Sequence, residues 1–179
     1  MTIYNLGSIN IDYFYRLPHL VSAGETLSAI GYDIFLGGKG ANQSVALARA
    51  GADVCHIGAF SKRDEHYLRE MREAGVNINN ISLLETESGH AIVMLDSNTG
   101  ENQIVLSGSA NYQISKEQII SALLEAEETD WALAQNETSL VREFFDSAKE
   151  KGLKICYSAA PFIAKQTASL LPLTNLLVV

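Results

Sequence analysis

Residues 37–44 read Gly-Gly-Lys-Gly-Ala-Asn-Gln-Ser, and the run Val45, Ala46, Leu47, Ala48 and Ala50 behind them is closed by Gly51. That pattern predicts a helix over Gly40–Ala50, entered through a turn in which glycine lets the backbone adopt positive φ or approach a neighbour closely. A helix N-terminus offers unpaired N–H groups and the positive end of the dipole to electron-rich atoms. Lys39 and Asn42 add side-chain donors at the same place. Two readings of the octet are open on these residues alone, a ligand-binding turn and an ordinary glycine turn that starts a helix.

Strand and helix patterns alternate on either side of it. Short strands are expected at Ile3–Leu6, Val54–Phe60, Trp131–Ala134, Leu153–Ser158 and Leu176–Val179. Helices are expected at Asp64–Ala74, from the capping box Ser115-Lys-Glu-Gln118 to Ala126, at Ser139–Lys151 and at Ala164–Leu170. This alternation implies an α/β fold with a parallel sheet flanked by helices. Residues 11–16 and 27–36 mix aromatic, branched and polar residues, as strands with one exposed face do, and 90–96 and 103–106 are two further strand candidates joined by the turn sequence Ser97-Asn-Thr-Gly100. The half-polar strands nearer the N-terminus imply a second, smaller sheet. The final Leu176-Leu-Val-Val179 has the apolar character of a buried parallel strand.

Composition narrows the function. With 47% hydrophobic and 19% charged residues the chain has a globular composition, and its formal charge of −8 argues against a nucleic-acid partner. No apolar run is long enough to span a bilayer, and no basic, apolar leader precedes the first strand, so a cytoplasmic location is expected. Cys55 and Cys156 fall in strand-like runs and suit buried free thiols. His19, His56, His66 and His90 lack metal-ligand spacing, so no metal site is expected. The acidic stretch Glu125–Asp130 reads as a solvated helix end.

Three further residues bear on chemistry. Asn10 and Asp12, two apart after the first strand, present an amide and a carboxylate to one side if the chain is extended there, a pair suited to gripping vicinal hydroxyls. An Asx turn after Gly7 fits the same spacing. Glu137 follows the Trp131–Ala134 strand, where it accepts from a hydroxyl or simply occupies the first turn of the next helix.

Gly7-Ser-Ile-Asn-Ile-Asp12 followed by Gly37-Gly-Lys-Gly-Ala-Asn-Gln43, with Gly108-Ser-Ala-Asn111 and Glu137 further on, resembles the ribokinase-like (PfkB-type) carbohydrate kinases, ribokinases most of all. The resemblance runs over residues 1–179 and implies the N-terminal part of one ribokinase-like α/β domain, with a small β-sheet lid built from strands within 11–16, 27–36, 90–96 and 103–106. It implies that Asn10, Asp12, Gly38, Lys39, Asn42 and Glu137 hold sugar hydroxyls, with Asn111 a weaker candidate. It also implies ATP and Mg²⁺ as cofactors, a ribose-like sugar as substrate and a homodimer formed through the lid.

The chain departs from the family pattern in several places. The Gly-Ala-Gly-Asp-like motif, whose Asp is the base toward the sugar hydroxyl, is absent from residues 1–179, and the family's place for the Asn-x-x-Glu motif that acts on magnesium and phosphate comes just after the strand Leu176–Val179. Tyr157-Ser-Ala-Ala-Pro161 stands where an Asn-Pro pattern is usual, and the glycines usual near Ser61–Asp64 are missing. No catalytic residue is therefore expected here; the catalytic Asp and the nucleotide site belong to a C-terminal half, and the chain reads as truncated before it. The expectation is the sugar-binding half of an ATP-dependent sugar kinase, inactive alone. The alternative is a non-catalytic sugar-binding or interaction module.

Overall fold

The computed structural model describes residues 1–179. In chain order the strands are β1 (Thr2–Leu6), β2 (Asn10–Leu17), β3 (Gly31–Gly37), β4 (Asp53–Ser61), β5 (Asn77–Leu84), β6 (Gly89–Asp96), β7 (Asn102–Ser107), β8 (Trp131–Ala134), β9 (Lys154–Ser158) and β10 (Leu176–Val178). The helices are α1 (Lys39–Arg49), α2 (Arg69–Glu73), α3 (Lys116–Ala122), α4 (Val141–Glu150) and α5 (Ala164–Leu170). Six strands form a parallel sheet in the order β10-β9-β8-β1-β4-β5, and four form a smaller mixed sheet in the order β3-β2-β6-β7.

Side-chain alternation along β1 and β4 divides the core between the two faces of the large sheet. Leu6 and Ile57 pack with Val141, Phe144, Phe145 and Ala148, the i, i+3, i+4, i+7 stripe of α4. Val54 and Phe60 pack on the other face with Ala41 of α1 and Met71 of α2. From β1 the chain builds outward to β4 and β5, then crosses back to add β8 on the opposite side of β1. The strand order therefore reverses between β1 and β8, and in open α/β sheets ligands bind in the crevice beyond the strands' carboxyl ends at such a point. Gly7 and Ser8 leave β1 there; Gln135, Asn136 and Glu137 leave β8 beside them.

Several elements differ from the sequence expectation. The strand expected at 27–36 begins at Gly31, because Ser22 and Glu25 close a turn (Glu25 N–H to Ser22 O, 3.0 Å) and Ile30 N–H rejoins β2 at Arg16 O (2.7 Å). The helix expected at Asp64–Ala74 is a 3₁₀ segment over Lys62–Leu68 that becomes α-helical only at Arg69. Its entry is pinned sideways: Ser88 Oγ donates to Asp64 (2.7 Å) and accepts from Ser61 N–H (3.1 Å). β5 was not expected at all. Its asparagines are poor strand formers, and the register shift between Cys55 and Ile57 breaks the alternation that marks a strand. α3 ends at Ala122, and Val141 rather than Ser139 opens α4.

Three burial expectations are also corrected. β10 pairs parallel to β9 but lies at the sheet edge with its side chains exposed. Asp130 is a buried acceptor for Thr2 N–H (2.7 Å) and Glu127 N–H (3.0 Å), so the acidic stretch is not solvated throughout. Cys55 is buried, but Cys156 is only half-buried. No helix is long and apolar enough to cross a membrane.

Candidate functional site

The glycine turn sets how closely the pieces meet. Gly38 has φ +93°, and a Cβ there would lie 2.6 Å from Ser8 O. Gly7 and Gly40 face each other so closely that a Cβ on either would overlap the other's Cα. Position 38 therefore requires glycine for its conformation, and positions 7 and 40 for the approach of α1 to the end of β1.

This approach settles what the helix N-terminus does. Glu137 Oε2 accepts from Lys39 N–H (3.3 Å) and from Ser8 Oγ (2.6 Å). Ser8 Oγ in turn accepts from Gly40 N–H (3.4 Å), and Ser8 O accepts from Ala41 N–H (2.9 Å). The first-turn donors of α1 are thus committed to protein acceptors, with a carboxylate at the positive end of the dipole. A phosphate would have to displace Glu137, so the octet is not an open phosphate cradle. Glu137 itself lies in a turn four residues before α4 and serves the dipole of α1, not that of its own helix. Its Oε1 also lies 3.3 Å from Lys39 Nζ, a pair with Glu137 mostly covered and Lys39 partly exposed.

Asn10 and Asp12 do not make an Asx turn; they open β2 and point to one side of the smaller sheet. Asn111 fixes Asn10. Its Oδ1 accepts from Ile9 N–H (2.9 Å) and its Nδ2 donates to Asn10 Oδ1 (2.8 Å), which leaves Asn10 Nδ2 as a donor. Gly89 is required beside them, because a Cβ there would overlap both amides. Asp12 lies over Gly37, in a cross-strand row with Phe35, Ala91 and Leu106. No donor of the chain bonds its half-buried carboxylate. Burial first, and then repulsion from Glu137, raise its pKa above the ordinary carboxylate value, with Lys39 acting in the opposite direction.

A cleft of about 90 Å³ opens here, with room for several waters or a small polyhydroxyl ligand, and its lining includes Ser8, Asn10, Leu106, Asn111, Tyr112 and Glu137. Of the residues expected from sequence, Asn10, Asp12, Gly38, Lys39 and Glu137 come together. Asn42 does not join them: it is exposed on the second turn of α1, and its side chain bonds none of the others. Ser8, the link between Glu137 and the glycine turn, was not expected, although its place after Gly7 at the end of β1 is the signal that marks it. Beneath the turn lie further polar residues with no pattern in the sequence: Asn5, Ser44, His56 and Gln135, all buried. Burial pushes the His56 imidazole down to about 4, so it is neutral at pH 7.

The cleft wall carries the Asn10 amide and the Glu137 carboxylate, and the Asp12 carboxylate and the Lys39 ammonium lie next to it, within electrostatic range of Glu137, a polar set suited to a polyol. Comparison with known proteins gives the family. The family model described as pfkB family carbohydrate kinase matches residues 2–179. Ribokinase from Haemophilus influenzae is 34% identical over 167 residues, covering 89% of this chain and 54% of that protein. Two solved structures share the fold. Ribokinase from Cryptococcus neoformans var. grubii, in complex with ADP, has a TM-score of 0.77 at 31% identity and matches 93% of this chain and 53% of its own. Arabidopsis thaliana ribokinase complexed with ribose and ATP has a TM-score of 0.75 at 25% identity, over 89% of this chain and 53% of its own. The chain spans about half the length of the relatives it matches. With the glycine turn, the strand-order reversal and the family match all centred on one α/β sheet, the chain belongs to the pfkB family of carbohydrate kinases.

Proposed function

We propose that this chain supplies the sugar-binding part of an ATP-dependent sugar kinase of ribokinase type, with a ribose-like sugar as acceptor. The observation that carries the reading is the Asp12 carboxylate, half-buried with no donor from the chain and within charge range of Lys39 and of Glu137, which lines the cleft together with Asn10. Asp12 takes hydrogen bonds from two sugar hydroxyls, Asn10 donates to a third, and Gly38, Lys39 and Glu137 close the opposite wall. Asn42 reaches the sugar only if α1 or the small sheet shifts on binding. A site built on such pairs discriminates strongly, because a missing hydroxyl leaves buried polar groups unpaired.

Phosphoryl transfer requires charge stabilisation at the phosphate and a base at the attacking hydroxyl. ATP and Mg²⁺ are assigned to the family's reaction and not to residues of this cleft: the donors of α1 are used by Glu137 and Ser8, and Lys39 is paired. The reaction belongs in the cytoplasm, where Cys55 and Cys156 remain thiols. Calorimetry against D-ribose, deoxyribose, fructose and a nucleoside tests the reading. Saturable heat with ribose and no ADP formation by the purified 179-residue chain are expected. Absence of heat with every sugar would refute sugar binding, and ribose-dependent ADP formation would refute the division of labour.

The smaller sheet is proposed to act as a lid and to pair with that of a second copy. Phe14, Val93 and Ile104 continue the apolar side that carries Asp12, and Phe35, Ile104 and Leu106 are each more than half exposed. An exposed apolar patch of this kind marks an interaction surface. Sedimentation equilibrium is expected to give a dimer for the unaltered chain and a monomer for Ile104→Glu. A dimer of unchanged strength in the variant would move the interface elsewhere.

A further inference from the structure

We infer that His56 is a positioning residue for the sugar site, acting through a buried one-directional hydrogen-bond relay that holds the Gly7–Ser8 turn and the first turn of α1 in register. His56 sits on β4, facing α1, and is fully buried. Its Nε2 lies 3.2 Å from Gly7 O and its Nδ1 2.8 Å from Ser44 Oγ. A carbonyl only accepts, so the ring's one hydrogen is on Nε2, and Nδ1 accepts from the Ser44 hydroxyl. Ser44 Oγ is then free to accept from Asn5 Nδ2 (2.8 Å), whose other hydrogen goes to Gly40 O (2.9 Å). Asn5 Oδ1 accepts from Gln135 Nε2 (2.9 Å), which also donates to Gln43 Oε1 (2.6 Å). Two pure acceptors, Gly7 O and Gly40 O, therefore set the direction of every bond between them.

The elements joined are those that build the cleft. Gly7 O and Ser8 N belong to one planar peptide, so anchoring that carbonyl orients the turn from which Ser8 reaches Glu137. Anchoring Gly40 O does the same for the α1 turn that carries Gly38 and Lys39. Gln135 links both to the end of β8, two residues before Glu137. Gln135 Oε1 is left without a partner, but the side-chain groups running from Asn5 through Ser44 to His56 are all bonded, and such a buried chain enforces one arrangement, because each broken bond strands a polar group away from water.

Two conservative variants separate positioning from general packing. His56→Gln places an amide donor near Nε2 and keeps the bond to Gly7 O. His56→Asn places an acceptor near Nδ1, keeps the bond from Ser44 and releases Gly7. Ribose affinity is expected to fall about tenfold or more in His56→Asn and to recover to within about threefold in His56→Gln, one lost hydrogen bond being of that order. Amide hydrogen exchange at Gly40 and Ala41 should accelerate in His56→Asn and in the milder Ser44→Ala, and less in His56→Gln. The affinity arm rests on the sugar-binding reading; the exchange arm does not. If the unaltered chain binds no ribose, that reading fails while exchange still decides the relay. Equal losses in His56→Gln and His56→Asn, or exchange unchanged in all three variants, would overturn it.

Discussion

Alanine at position 12 is expected to abolish ribose binding while leaving the fold at least as stable as before. The Asp12 carboxylate receives no hydrogen bond from the chain and lies among Phe35, Ala91 and Leu106, beside the second carboxylate of Glu137. Hydrogen bonds to a charged acceptor contribute about 1.5–3 kcal/mol each, so two sugar hydroxyls on Asp12 account for about 3 kcal/mol or more. Their loss corresponds to at least a hundredfold in affinity, about 1.4 kcal/mol being tenfold. Calorimetry should show no saturation of Asp12→Ala at ribose concentrations that fill the unaltered site, and unchanged affinity would mean the sugar is held elsewhere. Stability moves the other way. A folded-state pKa above the ordinary value means that the ionised form is disfavoured in the folded chain, a cost that appears as pH rises through the folded pKa and is absent below the unfolded one. Asp12→Asn, similar in shape but uncharged, should therefore unfold at the same or higher urea concentration at pH 7, with the difference vanishing in acid. Residues kept for binding at the expense of stability behave in this way.

The same residue shows what the sequence could and could not disclose. The pairing of Asn10 with Asp12 and the glycine turn are legible because each depends on residue type at a fixed offset, whereas the place of Glu137 against α1 rests on contacts 98 and 129 residues apart; the α/β class is legible because strand and helix patterns alternate. The 3₁₀ entry to α2 is not. Leu68 and Met71 suit either helix type at i, i+3 spacing, and the choice is made by Ser88, twenty-four residues from Asp64. β5 was hidden for a related reason, since its strand character comes from pairing with β4 across a register shift and not from its own residues. The exposed side chain of Asn42 is likewise a matter of where α1 points. Ser8, Asn111 and the relay below them join residues up to 130 apart in sequence, and no local period records such contacts. The parts of the site are thus local, while the network that holds them is a property of the fold.

Acid should expose that network. The chain is expected to lose about 3 kcal/mol of stability between pH 6.5 and 4 through His56 alone, from its ordinary value of 6.5 and its folded value of about 4 at about 1.4 kcal/mol per unit. The sign follows from proton counting. Above pH 6.5 the ring is neutral in both states and contributes no slope; between 6.5 and 4 the unfolded chain binds a proton that the folded chain refuses, so stability falls with pH. Glu25, Asp96 and Glu117, lowered by backbone N–H donors, lose their contribution as pH falls through the ordinary carboxylate range and below, at the foot of this window, and Asp12 acts in the opposite direction. Urea unfolding from pH 7.5 to 4.5 should therefore show a steep decline in the unaltered chain and a much shallower one in His56→Gln, whose amide does not titrate. Parallel curves would mean that His56 is protonated without cost in the folded state. Against a typical total of about 5–15 kcal/mol the expected loss is large. Its route also passes through the site: an imidazolium donates from both nitrogens, Ser44 loses its acceptor, and the turn that carries Ser8 is freed from the helix that carries Lys39.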